Sequence, residues 1–145
     1  MNGQAQTDWS ETPQWLVPHP TLVDREFWEG AHRGELRIQR CTTCGKHQHY
    51  ARTLCSHCGH ETLQWVTASG QGTVYSYTVI RQQGVPPFNE RVPFVVATVD
   101  LDEDGARLIA AMPGVAPDAA RVGMRVRAAF RPAGDEFGFV DFTPA

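Results

Sequence analysis

Cys41-Thr-Thr-Cys44-Gly45 and Cys55-Ser-His-Cys58-Gly59 are two copies of one short pattern, with ten residues between the inner cysteines. A two-residue gap lets both sulfurs of a pair point to one side of a tight turn. The glycine that follows supplies backbone free to take positive φ. Two such turns facing each other place four thiolates around one tetrahedral ion, the arrangement that Zn²⁺ prefers. Metal binding also supplies folding free energy that a segment this polar cannot draw from an apolar core. Two disulfides, a single redox-active pair, or an iron held by four thiolates would use the same residues. Nothing in the chain suggests secretion, and a lone redox pair leaves the second knuckle unexplained. The preferred reading is a structural zinc on Cys41, Cys44, Cys55 and Cys58, with iron kept open. Four protein ligands leave no position for water, so no catalysis by this metal is expected. His47, His49, His57 and His60 crowd the same segment and read as surface groups or neighbours of the ligands; replacement of one cysteine by a histidine is the lesser reading.

Upstream, Glu35-Leu-Arg-Ile-Gln-Arg40 alternates polar and apolar and predicts a short strand leading into the first knuckle. Before it, residues 21–34 predict a helical arm. Thr21 and Asp24 have capping-box spacing, Leu22, Val23, Phe27 and Ala31 share an apolar face with Trp28 at its edge, and Gly34 is a natural stop. Residues 1–20 are polar and punctuated by prolines, and read as a mobile tail. Downstream of Gly70 the pattern changes to strands at 72–81, 92–100, 106–112, 122–131 and 136–142. Turn signals such as Asp102-Glu-Asp-Gly105 and Pro132-Ala-Gly134 fall between them. Five short strands in about 70 residues suggest a small closed barrel of the OB type. The fold class is therefore mainly β: a helical arm (21–34), a metal ribbon (35–66) and a five-stranded OB-fold barrel (67–145).

Composition sets the outer limits. The 145 residues are 41% hydrophobic and 20% charged, which fits a folded domain rather than a disordered chain. No apolar run approaches the roughly 20 residues of a membrane-spanning helix, and the first twenty residues lack a signal-peptide stretch, so a cytoplasmic location is expected. The net charge of −3 gives no general attraction to nucleic acid. Tyr75 and Tyr77 on the first barrel strand and Arg125, Arg127 and Arg131 on the fourth could nevertheless line a ligand face. The simpler reading is a solvated face opposite Met124, Val126, Ala128 and Phe130. Between the first two barrel strands, Gln82-Gln-Gly-Val-Pro-Pro-Phe-Asn-Glu-Arg91 is a proline-stiffened loop with Val85 and Phe88 near its tip. Such a loop costs little entropy to dock. Val85 and Phe88, with Phe94 on the outer side of the second strand and Phe27 and Trp28 on the arm, are the candidate partner-binding residues. Each aromatic has packing within its own chain as the competing reading. No catalytic motif is present: there is no G-x-S-x-G elbow, no phosphate-cradling loop with lysine, and no cysteine outside the knuckles.

Taken together these residues resemble the zinc-ribbon OB-fold proteins once catalogued as domain of unknown function 35. The likeness runs through Phe27-Trp28, Gly34 to Gly45, Arg52, Cys55 to Gly59, Ser69-Gly-Gln-Gly72-Thr-Val-Tyr-Ser-Tyr-Thr78, Pro93-Phe94-Val-Val and Val122-Gly-Met-Arg-Val126. It covers about residues 22–142. The resemblance implies an N-terminal helical arm, a rubredoxin-like zinc ribbon with Cys41, Cys44, Cys55 and Cys58 as ligands, and an OB barrel. It also implies a noncatalytic accessory subunit that binds and stabilises a thiolase-fold acyl-CoA enzyme (thiolase, sterol-carrier-type thiolase or aldolase) and in some cases a hydratase. Such a subunit can help shape an acyl-CoA site in lipid or steroid degradation. A stand-alone module binding a CoA thioester through Arg125 and Arg127 is the alternative, and a single-stranded nucleic acid binder a weaker one. This chain has His49-Tyr50-Ala51 where many relatives carry a proline pair, and Ser56 where they tend to carry proline. A softer ribbon loop is the expected consequence.

Overall fold

The computed structural model describes residue 9 and residues 11–145. The arm contains one helix, α1 (Arg25–His32), entered through a tight turn that begins at Thr21. Asp24 Oδ1 accepts both the Thr21 N–H (2.7 Å) and the Thr21 hydroxyl (2.9 Å), and the Thr21 Oγ1 accepts the Val23 N–H. The Thr21–Asp24 pair thus locks the turn ahead of the helix, as its spacing predicts. The ribbon is a three-stranded sheet in the order β2-β1-β3, with β1 (Arg37–Cys41), β2 (His47–Gln48) and β3 (Leu63–Thr67). β2 has two residues, too few for any periodicity, and it exists because the first knuckle folds back on β1.

The five following strands are β4 (Gln71–Ile80), β5 (Phe94–Leu101), β6 (Arg107–Ala111), β7 (Arg125–Ala133) and β8 (Phe137–Pro144). Alternation places Val95, Ala97, Val99 and Leu101 of β5 inward, each buried, with Phe94 and Val96 on the outer face. The expected closed barrel is corrected to an open sheet in the order β6-β5-β4-β7-β8. β6 pairs with β5 and β8 with β7, and among the described residues no ladder joins β6 to β8. A space of about 380 Å³ lies at that seam instead, lined by Phe27 and Trp28 of α1, His49 of the ribbon, Leu108 of β6 and Val140 of β8 among others.

One apolar core runs through all three parts. Phe27 and Ala31 of the arm and Leu36 and Ile38 of the ribbon cluster with Val74, Val95, Val99, Val126 and Phe142 of the large sheet. The ribbon is further tied to the β5–β6 turn. Lys46 Nζ lies 2.7 Å from Asp104 Oδ2, and the His47 N–H donates to the Asp104 carbonyl. Arm, ribbon and sheet therefore share their buried surface rather than sitting as beads on a string.

Of the expected mobile tail over 1–20, residues 1–8 and residue 10 lie outside the described residues, while Trp9, Glu11 and Thr12 contact the large sheet and its loops. Trp9 packs edge-on against Phe94 (5.2 Å) and lies under the Arg91 guanidinium (4.5 Å). The Thr12 hydroxyl donates to the Pro132 carbonyl, and Arg91 donates to the Glu11 carbonyl. Sequence polarity hid this because the contacts are one aromatic ring, two arginines and backbone, with no apolar period.

Candidate metal centre

The two knuckles repeat one another bond for bond. The Cys41 N–H donates to the Lys46 carbonyl and the Gly45 N–H to the Cys41 carbonyl; Cys55, His60 and Gly59 do the same. Both turns need glycine, with φ of 77° at Gly45 and 81° at Gly59. The sulfurs of Cys41, Cys44, Cys55 and Cys58 all lie within 4.8 Å of one another. Across the knuckles Cys41 Sγ is 3.6 Å from Cys58 Sγ, and Cys44 Sγ is 3.7 Å from Cys55 Sγ. A tetrahedron with zinc–sulfur bonds of about 2.3 Å has edges of about 3.8 Å, so the four sulfurs are spaced to hold one zinc ion. All four cysteines are free thiols, which removes the disulfide reading.

Local hydrogen bonds prepare the thiolates. The Cys41 thiol is pushed down to about 5, first by the Thr62 hydroxyl 3.3 Å away and then by backbone N–H groups of the knuckle. At Cys58 the His60 N–H works downward, but burial and the three neighbouring sulfurs outweigh it and the thiol is pushed up to about 12. Four like charges this close cannot all form unaided, and a dication in their midst removes the conflict. None of the four histidines joins the sulfur cluster. His60 Nδ1 lies 3.3 Å from Cys58 Sγ, His57 Nε2 lies 3.1 Å from the His47 carbonyl, and His49 is turned away beneath α1, 4.6 Å from the Phe27 ring.

The other sequence-derived candidates are dispersed. Phe27 is 7% exposed and packs in the chain's own core, the competing reading stated for it above. Trp28 is half-buried, its Nε1–H donating to Asp24. Val85 is 59% exposed at the loop tip, whereas Phe88 folds back toward Phe94 (6.3 Å between centroids) with the Arg91 guanidinium over its ring. The arginine row is also broken up. Arg125 holds Asp102 in a two-pronged ion pair at 2.7 and 2.8 Å, and Arg131 holds Asp141 at 2.6 Å, while Arg127 is exposed and forms no ion pair among the described residues. Tyr75 carries the Arg107 guanidinium 3.8 Å above its ring.

Family profiles match most of this fold. Residues 28–64 match the rubredoxin-like zinc ribbon domain of ChsH2, and residues 65–131 match the ChsH2 C-terminal OB-fold domain. The chain belongs to the ChsH2 family. A chain of the solved Ltp2-ChsH2(DUF35) aldolase superposes with a TM-score of 0.76 at 36% identity, covering 88% of this chain and 98% of that one. A DUF35-family protein of unknown function from Sulfolobus solfataricus shares the fold at 19% identity, with a TM-score of 0.57 over 83% of each chain. Among curated proteins, a probable enoyl-CoA hydratase alpha subunit of Thermomonospora curvata is 39% identical over 93% of this chain and 42% of its own length. The 3-oxo-4,17-pregnadiene-20-carboxyl-CoA hydratase alpha subunit of Mycobacterium tuberculosis is 36% identical over 72% of this chain and 32% of its own length. A DUF35 domain-containing scaffold protein of Methanocaldococcus jannaschii is 35% identical over 63% of this chain and 64% of its own length. The chain thus spans less than half of the two hydratase subunits it matches.

The ribbon's support came from residues that sequence reasoning passed over. Gln39 and Gln48 are both buried in the small sheet. Gln48 donates to Gln39 Oε1 (2.8 Å) and to the Leu54 carbonyl, and Gln39 donates to the Arg52 carbonyl while accepting the Arg52 N–H. The Ser56 N–H and hydroxyl both donate to Gln48 Oε1, at 2.8 and 3.0 Å. Two glutamines thus pin the 49–56 loop, so the expected softness is offset by hydrogen bonds. Paired glutamines on opposed short strands were the available signal.

His49 gives the ribbon a pH signature. Burial pushes its imidazole down to about 4. The unfolded chain then takes up a proton near pH 6.5 that the folded chain refuses until about pH 4, so stability is full above pH 6.5 and is lost as the pH falls toward 4. Between pH 7 and pH 5 the loss from this one group is about 2 kcal/mol. With zinc held in excess, His49→Phe should flatten the stability profile over that window relative to wild type; chemical denaturation at pH 5, 6 and 7 measures it. Parallel profiles for the two proteins would refute the assignment.

Proposed function

We propose that this chain is a noncatalytic zinc-containing scaffold subunit of a heteromeric acyl-CoA enzyme, with a thiolase-fold protein of the aldolase or thiolase type as its partner. The observation that carries this reading is the match over 98% of the length of a chain in the Ltp2-ChsH2(DUF35) aldolase. The donor set supports it: four sulfurs satisfy a zinc ion fully and leave it a structural role. The hydratase alpha subunits among the relatives support acyl-CoA chemistry and make a hydratase the second partner class. We place the complex in cytoplasmic lipid degradation, with steroid side chains as the substrate class that the mycobacterial relative suggests.

The reading of a stand-alone CoA-binding module has less support. Arg125 is committed to Asp102, which leaves only Arg127 of the proposed pair without an ion pair among the described residues. Nucleic acid binding is weaker still, since Arg107, Arg125 and Arg131 are each paired with an acid and the net charge is −3.

Co-expression with a thiolase-fold acyl-CoA enzyme from the same genome tests the proposal directly. Near-stoichiometric co-elution, with CoA-ester turnover that needs both chains, is the expected result. Recovery of the zinc-loaded chain alone would overturn it and return weight to the free CoA-binding module. The exposed Val85 is our assigned contact on the 82–91 loop, so Val85→Asp should weaken association about tenfold while zinc content stays at one equivalent. Unchanged affinity by titration would remove that loop from the interface.

A further inference from the structure

The two knuckles match in their backbone bonds but differ in one side-chain contact, at Cys41. Cys41 pairs across the ribbon with Leu63 at the start of β3, so Thr42 and Thr62 face each other just outside the strands. The Thr62 carbonyl accepts the Thr42 N–H at 2.8 Å and the Thr42 hydroxyl at 3.2 Å. Held in this way, the Thr62 hydroxyl lies 3.3 Å from Cys41 Sγ and 2.6 Å from the Thr43 hydroxyl. Among the described residues no hydroxyl reaches any other sulfur. Cys55 Sγ takes the His57 N–H at 3.4 Å and Cys58 Sγ lies 3.3 Å from His60 Nδ1, both from the second knuckle itself. We propose that Thr62 is a positioning residue of the metal centre: its hydroxyl, oriented by Thr43, donates to the Cys41 sulfur and sets how firmly the ribbon keeps its zinc.

The direction of this relay follows from counting protons. A metal-bound cysteine is a thiolate, which accepts and has no proton to give, so the Thr62 proton is committed to Cys41. The Thr62 oxygen then acts as acceptor toward Thr43, whose own proton fills the 2.6 Å contact. Thr43 lies between the cysteines of the first knuckle and Thr62 lies beyond the second, so the relay joins the two halves of the donor set. Burial gives the bond its weight. Cys41 is 0% exposed, so water has no approach to its sulfur and cannot stand in for a missing hydroxyl; Cys44, by contrast, is exposed. Four thiolates around a dication also leave negative charge uncompensated. A hydroxyl donor takes up part of that charge and makes the sulfur less basic. Protons compete with the metal for thiolates, so a less basic Cys41 releases zinc less readily.

The proposal rests on the metal reading and not on the scaffold reading, and it is tested on the full zinc-loaded chain without a partner. Zinc affinity is measured by competition with a chromogenic chelator, and the sulfur-to-metal charge-transfer band is recorded after cobalt(II) replaces zinc. Thr62→Val keeps the side chain's shape and removes the hydroxyl. Affinity should fall about tenfold, and the cobalt band should move to longer wavelength, because a thiolate that loses a donor gives up its electrons more easily. Thr62→Ser keeps the hydroxyl and should match wild type in both measurements. Thr43→Val removes only the group that orients Thr62 and should give a smaller loss in the same direction. Wild-type affinity in Thr62→Val, an equal loss in Thr62→Ser and Thr62→Val, or a cobalt band that stays in place would each overturn the assignment. A wild-type chain that takes up neither zinc nor cobalt would overturn the metal reading and this assignment with it.

Discussion

Removing the metal, or replacing Cys41 with serine, should unfold far more than the ribbon. Structural zinc sites supply roughly 10–16 kcal/mol of apparent binding free energy at neutral pH, as much as the entire stability of about 5–15 kcal/mol that a domain of this size holds. The consequence spreads because β1 ends on Cys41 itself and also delivers the fully buried Ile38, with buried Leu36 just ahead of it, to the shared core. Losing two such side chains from a packed core costs about 2–5 kcal/mol each. Melting followed by circular dichroism, before and after chelation, should show a fall of more than about 10 °C, restored by one equivalent of zinc. A chain stripped below a tenth of an equivalent that melts at its original temperature would refute the account. Acid should act the same way, since protons compete with the metal for thiolates.

Gly138→Val carries the second largest expected effect. A Cβ at Gly138 would sit 2.6 Å from both the Ala31 carbonyl carbon and the His32 nitrogen, and 2.8 Å from the Ala31 oxygen. These are backbone atoms at the end of α1, so no side chain can move aside. The helix lies directly on β8, and His32 Nδ1 lies 3.2 Å from the Phe137 carbonyl beside it. Valine therefore forces α1 away from the strand and with it Phe27 and Ala31, both buried. Overpacking of this kind costs about 3 kcal/mol, and amide exchange over residues 25–34 should accelerate selectively. Wild-type stability with unchanged exchange would mean that the helix does not rest on that glycine.

Much of this architecture is legible in linear order. β5 reads directly, because its strict alternation matches a strand buried on one face. α1 is announced by Thr21 and Asp24, which meet in the turn their spacing predicts. β2 and β3 were passed over: one has two residues, and the other, Leu63–Thr67, has only partly buried apolar side chains and so a weak period. The packed segment around Trp9 escaped notice for a related reason, since cation–π contacts and carbonyl pairings leave no trace in hydrophobic patterning. Phe27 and Phe88 illustrate a different limit. An aromatic residue looks equally suited to a partner and to its own core, and only the position of α1 against β8 and of Arg91 over the loop separates the two.

The sequence alone determined the ligand set, because two C-x-x-C-G knuckles carry their geometry in covalent spacing and in the positive φ that glycine permits. It also determined the five strands of the large sheet and the absence of catalytic motifs, which are local properties. Tertiary structure decided the rest: that the sheet stays open between β6 and β8, that two buried glutamines pin the loop around the second knuckle, and that His49 ends beneath α1 beside an apolar cavity. Each of these joins residues far apart in the chain, and such contacts are set by packing, which no periodicity records.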